Sequence, residues 1–156
     1  MGKRFGVAIL LAVLCAGAAS GNAHEHKAPH GGTLIVLGTE FAHLELVLDA
    51  KTGTLTAYVL DGEAEKFVRV QQKEIALRLS VEDKQQEPVA VTLKAVANVL
   101  TGEKEGDTAQ FEGAASSLQG AARFSGVISA LAARGTEFRE VRFRFPEGNE
   151  AHPGGK

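Results

Sequence analysis

The residue types best suited to chemistry lie close together near the start of the chain. His24, Glu25, His26 and His30 are followed by Gly31 and Gly32, and His43 and Glu45 come shortly after. Four of the chain's five histidines fall in this stretch. Imidazole nitrogens and carboxylate oxygens are the donors that Zn(II), Cu(II) and Ni(II) accept. If the mature chain begins at His24, the free amine, two backbone amides and the imidazole of His26 could surround a metal in a square plane, which Cu(II) and Ni(II) prefer. His24 offers a competing mode through its own amine and ring. The two glycines allow a sharp turn that would aim His30 back toward the following strand. His43 and Glu45 are two apart, so on a strand they share one face at about 6.5–7 Å spacing. The expected metal set is therefore His24, His26, His30, His43 and Glu45, with Asp61 or water as a further donor. Against it stands the plainer reading of a solvated strand face beside a histidine-rich arm that binds metals adventitiously.

The elements that must position these residues read as β-strands. Thr33–Leu37 is a short β-branched and leucine run between glycines. From Phe41 to Leu48 the apolar residues Ala42, Leu44, Leu46 and Leu48 alternate with Phe41, His43, Glu45 and Val47. Asp49 to Gly53 is a turn, and Thr54–Leu60 returns as the hairpin partner. Phe67–Gln71, Glu74–Val81, Val89–Val96, Arg123–Leu131 and Glu137–Phe145 also read as strands, the Ala-rich end of Arg123–Leu131 being open to helix. In the last of them Val141, Phe143 and Phe145 share one face, and Arg142 and Arg144 the other. Ala109 to Leu118 carries helix formers behind a capping Asp107 or Thr108, and is expected as one short helix. The expected fold is all-β: an antiparallel, Ig-like β-sandwich of 7–8 strands with that single helix.

Residues 1–23 have the layout of a secretory signal, with Lys3 and Arg4 ahead of an apolar run and small residues at its end. That run is shorter than the roughly 20 residues of a spanning helix. Cleavage is expected after Ala23, with lipidation at Cys15 or an uncleaved anchor as the alternatives. The expected organisation is a signal peptide over 1–23, a flexible histidine-rich arm over 24–32, a sandwich domain over 33–146 and a loose tail over 147–156. The location follows as periplasmic or secreted, with no membrane insertion after cleavage.

Of the 17 Lys and Arg, Lys3 and Arg4 leave with the signal, so 15 face 19 Asp and Glu. With no basic patch, nucleic acid is a poor partner. Cys15 and Met1 are the sole sulfur residues, so a chain cut after Ala23 has no disulfide and no soft ligand, which points to Zn(II) or Cu(II) rather than Cu(I). The acids are too scattered for Ca(II). No phosphate-binding loop or nucleophile motif is present, and no catalytic role is expected. His152 and the Arg139, Arg142 and Arg144 row are weaker candidates, for metal and for an anion or partner respectively.

Pro29-His30-Gly31-Gly32, Phe41 to Leu48 with His43 and Glu45, and Tyr58-Val59-Leu60-Asp61-Gly62 together carry a resemblance. The chain resembles small exported bacterial proteins and the His-Gly-Gly N-terminal module of heavy-metal efflux periplasmic adaptor subunits. The resemblance implies a periplasmic setting, a β-sandwich and a link to metal efflux. The helical hairpin, lipoyl and barrel segments of a full adaptor are missing. Two functions are expected in competition: a protein that sequesters or transfers Zn(II) or Cu(II), with an efflux or envelope protein as partner, and a non-catalytic interaction module docking on an envelope complex.

Overall fold

A computed structural model describes residues 26–82, 84 and 87–149. The signal segment with Cys15, His24, and His152 lie outside the described residues. Eight strands form: β1 (Thr33–Leu37), β2 (Ala42–Asp49), β3 (Thr54–Asp61), β4 (Glu74–Val81), β5 (Val89–Ala95), β6 (Gln110–Ala114), β7 (Phe124–Ala133) and β8 (Thr136–Phe145). Every pairing is antiparallel, and the strands run in the order β1-β2-β3-β6-β5-β4-β7-β8 in one sheet folded over on itself. Leu44, Leu46, Leu55, Val59, Ile75, Leu77, Leu79, Leu93, Phe111, Phe124 and Ile128 fill the space between its halves. Period-two alternation is the cause, since it delivers every second side chain of each strand to the interior.

The sheet nearly closes. β1 and β8 lie in contact, and the chain leaving β8 crosses the open edge of β1. There the Asn149 amide accepts from Val36 N (2.7 Å) and donates to Val36 O (3.0 Å), replacing a missing strand partner. The Thr33 hydroxyl donates to Pro146 O (3.1 Å). An edge covered in this way offers little template for pairing with another chain.

The short helix expected over Ala109 to Leu118 is not formed. Gln110–Ala114 is a strand between β3 and β5, and only Ser116–Leu118 coils, as one 3-10 turn. Helix propensity is a weak preference that burial overrides: Ala109 and Phe111 are buried at alternate positions. Gly113 answers to the same pairing, because a Cβ there would lie 2.4 Å from Thr92 O. Phe67–Gln71 makes only isolated bridges, Leu60 to Phe67 and Val70 to Thr108, rather than a strand.

β7 extends as strand to Ala133, and it changes face part-way. Phe124 and Ile128 are buried at one end, then Leu131 and Ala133 at the other, an odd-for-even switch. β8 switches opposite it: Phe143 is buried and Val141 partly so, whereas Phe138 packs on the core beyond Glu140. Glu140 sits at the reversal with φ 51°, while pairing continues from Ile128–Val141 to Ala130–Arg139. Arg142 and Arg144 point outward as the alternation requires.

Candidate functional site

Both faces of β2 are covered. Ala42, Leu44 and Leu46 enter the core, and His43 and Glu45, on the opposite face, are equally buried. What covers them is the segment 26–32, laid across the outside of β2 and β3. Its course follows from its residue types. Gly31 N closes a turn on Ala28 O (3.1 Å), and Gly31 takes φ 69°, which favours glycine. Gly32 then lies flat on β2, where a Cβ would come within 2.4 Å of Leu46 O and 3.0 Å of Glu45 Cγ.

The turn exists around one carboxylate. Glu45 Oε1 accepts the backbone amides of His30 (2.8 Å) and Gly32 (2.9 Å), and Oε2 lies 2.9 Å from His30 Nδ1. Amides of alternate residues around a left-handed glycine form a concavity suited to an anion, here filled by the protein's own side chain. A buried carboxylate is tolerable only when it is hydrogen-bonded in this way. The His30 ring stacks on Tyr58, with centroids 3.9 Å apart and planes 13° from parallel. Burial, and then the charges of Glu45 and Glu112, push the Tyr58 phenol above its ordinary value.

His43 and His26 form a second pair. Their ring centroids are 5.0 Å apart, tilted by 59°. His43 Nδ1 lies 3.1 Å from Asp61 O. A carbonyl can only accept, so Nδ1 carries the proton, and in the neutral ring Nε2 presents a lone pair. Nε2 of His43 is buried without a partner among the described residues, and so is Nε2 of His26. Among the described residues the Glu40 carboxylate approaches the latter, with Oε1 at 3.9 Å, too far for a hydrogen bond. Ser117 Oγ is the one other buried side-chain polar atom in that condition among the described residues. Two of three such atoms therefore belong to this one pair of neighbouring rings.

His30, His43 and Glu45 do lie on the same side of the sheet, but they divide. His30 binds Glu45, and His43 meets His26. Among the described residues, no three His, Cys, Asp or Glu gather in an arrangement that could hold an ion. The Asp61 carboxylate is taken by the amides of Glu65 (2.9 Å) and Lys66 (3.1 Å). It is the Asp61 carbonyl that serves the site. Glu40 and Tyr58 were not legible as members: Glu40 reaches His26 from a loop with φ 53°, and Tyr58 enters only because it is the cross-strand neighbour of Glu45.

Two concavities lie nearby and beyond. One of about 340 Å³ is bordered by His30, Tyr58, Phe67, Arg69 and Glu103. A broader one of about 850 Å³ opens on the outward face of β4, β7 and β8 beside Arg78, Arg142 and Arg144, with no histidine in its lining. Arg139 pairs instead with Glu137. The histidines described are thus separate from this broad hollow, and donor chemistry rather than volume singles out the histidine face. No helix among the described residues is long and apolar enough to cross a membrane. No family model matches the chain, and neither a curated protein nor a solved structure does.

Proposed function

We propose that this is an exported, non-catalytic protein that binds Zn(II) or Cu(II) and sequesters or transfers it in the periplasm, in connection with heavy-metal efflux. The observation that supports the reading is the His26–His43 pair, two neighbouring imidazoles whose buried Nε2 atoms have no partner among the described residues. A ligating histidine ordinarily donates its other ring N–H to a carbonyl or carboxylate, which fixes the tautomer and strengthens the donor. His43 has this arrangement with Asp61 O. Two nitrogens do not complete a Zn(II) or Cu(II) shell. In the proposal His24, Glu25, Glu40 or water supplies the rest.

Titration of the protein, as cells deliver it, with Zn(II) and with Cu(II) tests the reading. His26→Ala and His43→Ala should each weaken binding by about 100-fold or more, since loss of an outer-shell partner alone typically costs about 10–100-fold. His30→Ala should weaken it less. Affinity unchanged in both of the first two variants would defeat the proposal, leaving the pair as buried histidines bridged by solvent.

A second reading, an interaction module docking on an envelope complex, draws on Val99 and Leu100. They are 95% and 97% exposed at the tip of a braced turn, in which Asn98 Oδ1 holds Leu100 N (3.0 Å). Under that reading metal uptake is absent and Val99→Ser with Leu100→Ser abolishes recruitment to the envelope.

A further inference from the structure

His26 and His43 approach each other from supports of very different stiffness. His43 lies inside β2, with Val36 and Leu60 paired on either side and its ring fixed by Asp61 O. His26 lies on a segment with no strand pairing of its own. Among the described hydrogen bonds, each one that ties residues 26–32 to the rest of the molecule ends on Glu45: from His30 N, His30 Nδ1 and Gly32 N. One carboxylate therefore latches the whole strap, and the strap carries one of the two imidazoles.

Resting on the metal reading above, we propose that the site is built for hand-over rather than storage. His43 is the retained donor, His26 the exchangeable one, and Glu45 a positioning residue that sets how readily His26 leaves. The chemistry is ligand substitution. When the strap lifts, the bond from the ion to His26 Nε2 breaks and a nitrogen or oxygen donor of the acceptor takes the vacated position. The bond to His43 Nε2 persists through that exchange and breaks last, as a second donor of the acceptor replaces it. No electron or proton needs to move between protein and ion. Exchanging one donor at a time avoids releasing a bare ion. The geometry suits this order, because only the strap can move without breaking the β1–β2–β3 ladder.

Glu45→Gln removes the charge from the latch and one of its acceptor contacts. Gly32→Ala lifts the strap sterically, leaving Glu45 and both histidines intact. The protein and both variants are loaded with Zn(II), and in a parallel set with Cu(II), then mixed with excess chromogenic chelator. Hydrogen exchange of the amides in 26–32 is followed alongside. Both variants should exchange those amides faster and release the ion about 10–100-fold faster, the usual scale for outer-shell substitutions. His26→Ala should match them, and unchanged exchange in β2 and β3 shows that the sheet is intact. If Glu45→Gln fails to fold, Gly32→Ala alone decides. Faster strap exchange with unchanged release overturns the hand-over proposal while sparing the metal reading, as do variants that leave the strap as protected as before. A parent protein that takes up neither ion overturns both.

Discussion

Glu45 and Gly32 are held against each other by an exact fit of donor and space: Gly32 N donates to Glu45 Oε1 at 2.9 Å, and a Cβ on Gly32 would stand 3.0 Å from Glu45 Cγ and 2.8 Å from Val47 Cγ2. The carboxylate of Glu45 can be wholly buried because this backbone lies directly on it. Removing that closeness should therefore cost stability. Gly32→Ala is expected to destabilise the protein by about 1–3 kcal/mol, measured by urea unfolding. Gly31→Ala meets nothing within 4 Å and suffers only from its φ of 69°, so its cost should stay near 1–2 kcal/mol. A Gly32→Ala variant as stable as the parent would mean that the strap does not rest on β2.

Glu45→Ala leaves two backbone amides and one imidazole nitrogen without their acceptor. Each buried unsatisfied donor costs about 1–3 kcal/mol. The variant should lose several kcal/mol unless the strap peels off to let water reach those groups. In that event hydrogen exchange over 28–32 rises sharply and the stability loss is small. A variant that is neither less stable nor less protected would remove Glu45 from its role.

His43→Leu separates function from stability. It deletes the Nδ1 bond to Asp61 O and also deletes the unpartnered Nε2, two effects of opposite sign. The unfolding free energy from denaturant titration should change by about 1 kcal/mol or less, while metal uptake is lost. A much larger fall in stability would mark His43 as a core residue whose nitrogen is incidental.

Glu103 carries a pH dependence of known sign. Its carboxyl is held below the usual carboxylate value by the Thr101 hydroxyl, which outweighs the desolvation that raises it, with the Ala109 amide, Arg69 and Thr108 adding to the lowering. The folded form thus binds its proton less readily than the unfolded chain does. The stability this group supplies is present above the ordinary carboxylate range and is lost as pH falls from that range through the lower folded value. Acid should loosen the 98–109 loop, seen as faster amide exchange there, and Glu103→Gln should abolish that pH response. An equal acid response in the variant would assign it to other groups.

Val99 and Leu100 have almost no contacts to lose. Val99→Ser with Leu100→Ser should leave the unfolding free energy within about 0.5 kcal/mol of the parent. A larger change would show that the tip packs on something in solution, such as a second copy of the chain, and sedimentation velocity would reveal it.

Alternation alone was enough to read the all-β, antiparallel fold and the bounds of Glu74–Val81, because one apolar face of a strand is a purely local pattern. The same pattern placed His43 and Glu45 on one face, and the two glycines after His30 announced the turn. Local pattern failed where the constraint was not local. The helix expected at Ala109 to Leu118 is a strand because β3 and β5 offer its backbone partners that no neighbouring residue could supply. Nor could spacing say how the donors would divide. That Glu45 is consumed by His30 and Gly32, leaving His43 to face His26, depends on contacts across 13 or more residues and on where the Asp61 carbonyl points. Residue types and intervals determined which groups could act on this face, whereas the choice of partner for each was decided by the packing of the strap on the sheet. Burial is what makes that choice consequential, since only away from water does an imidazole with a partner differ so strongly from one without.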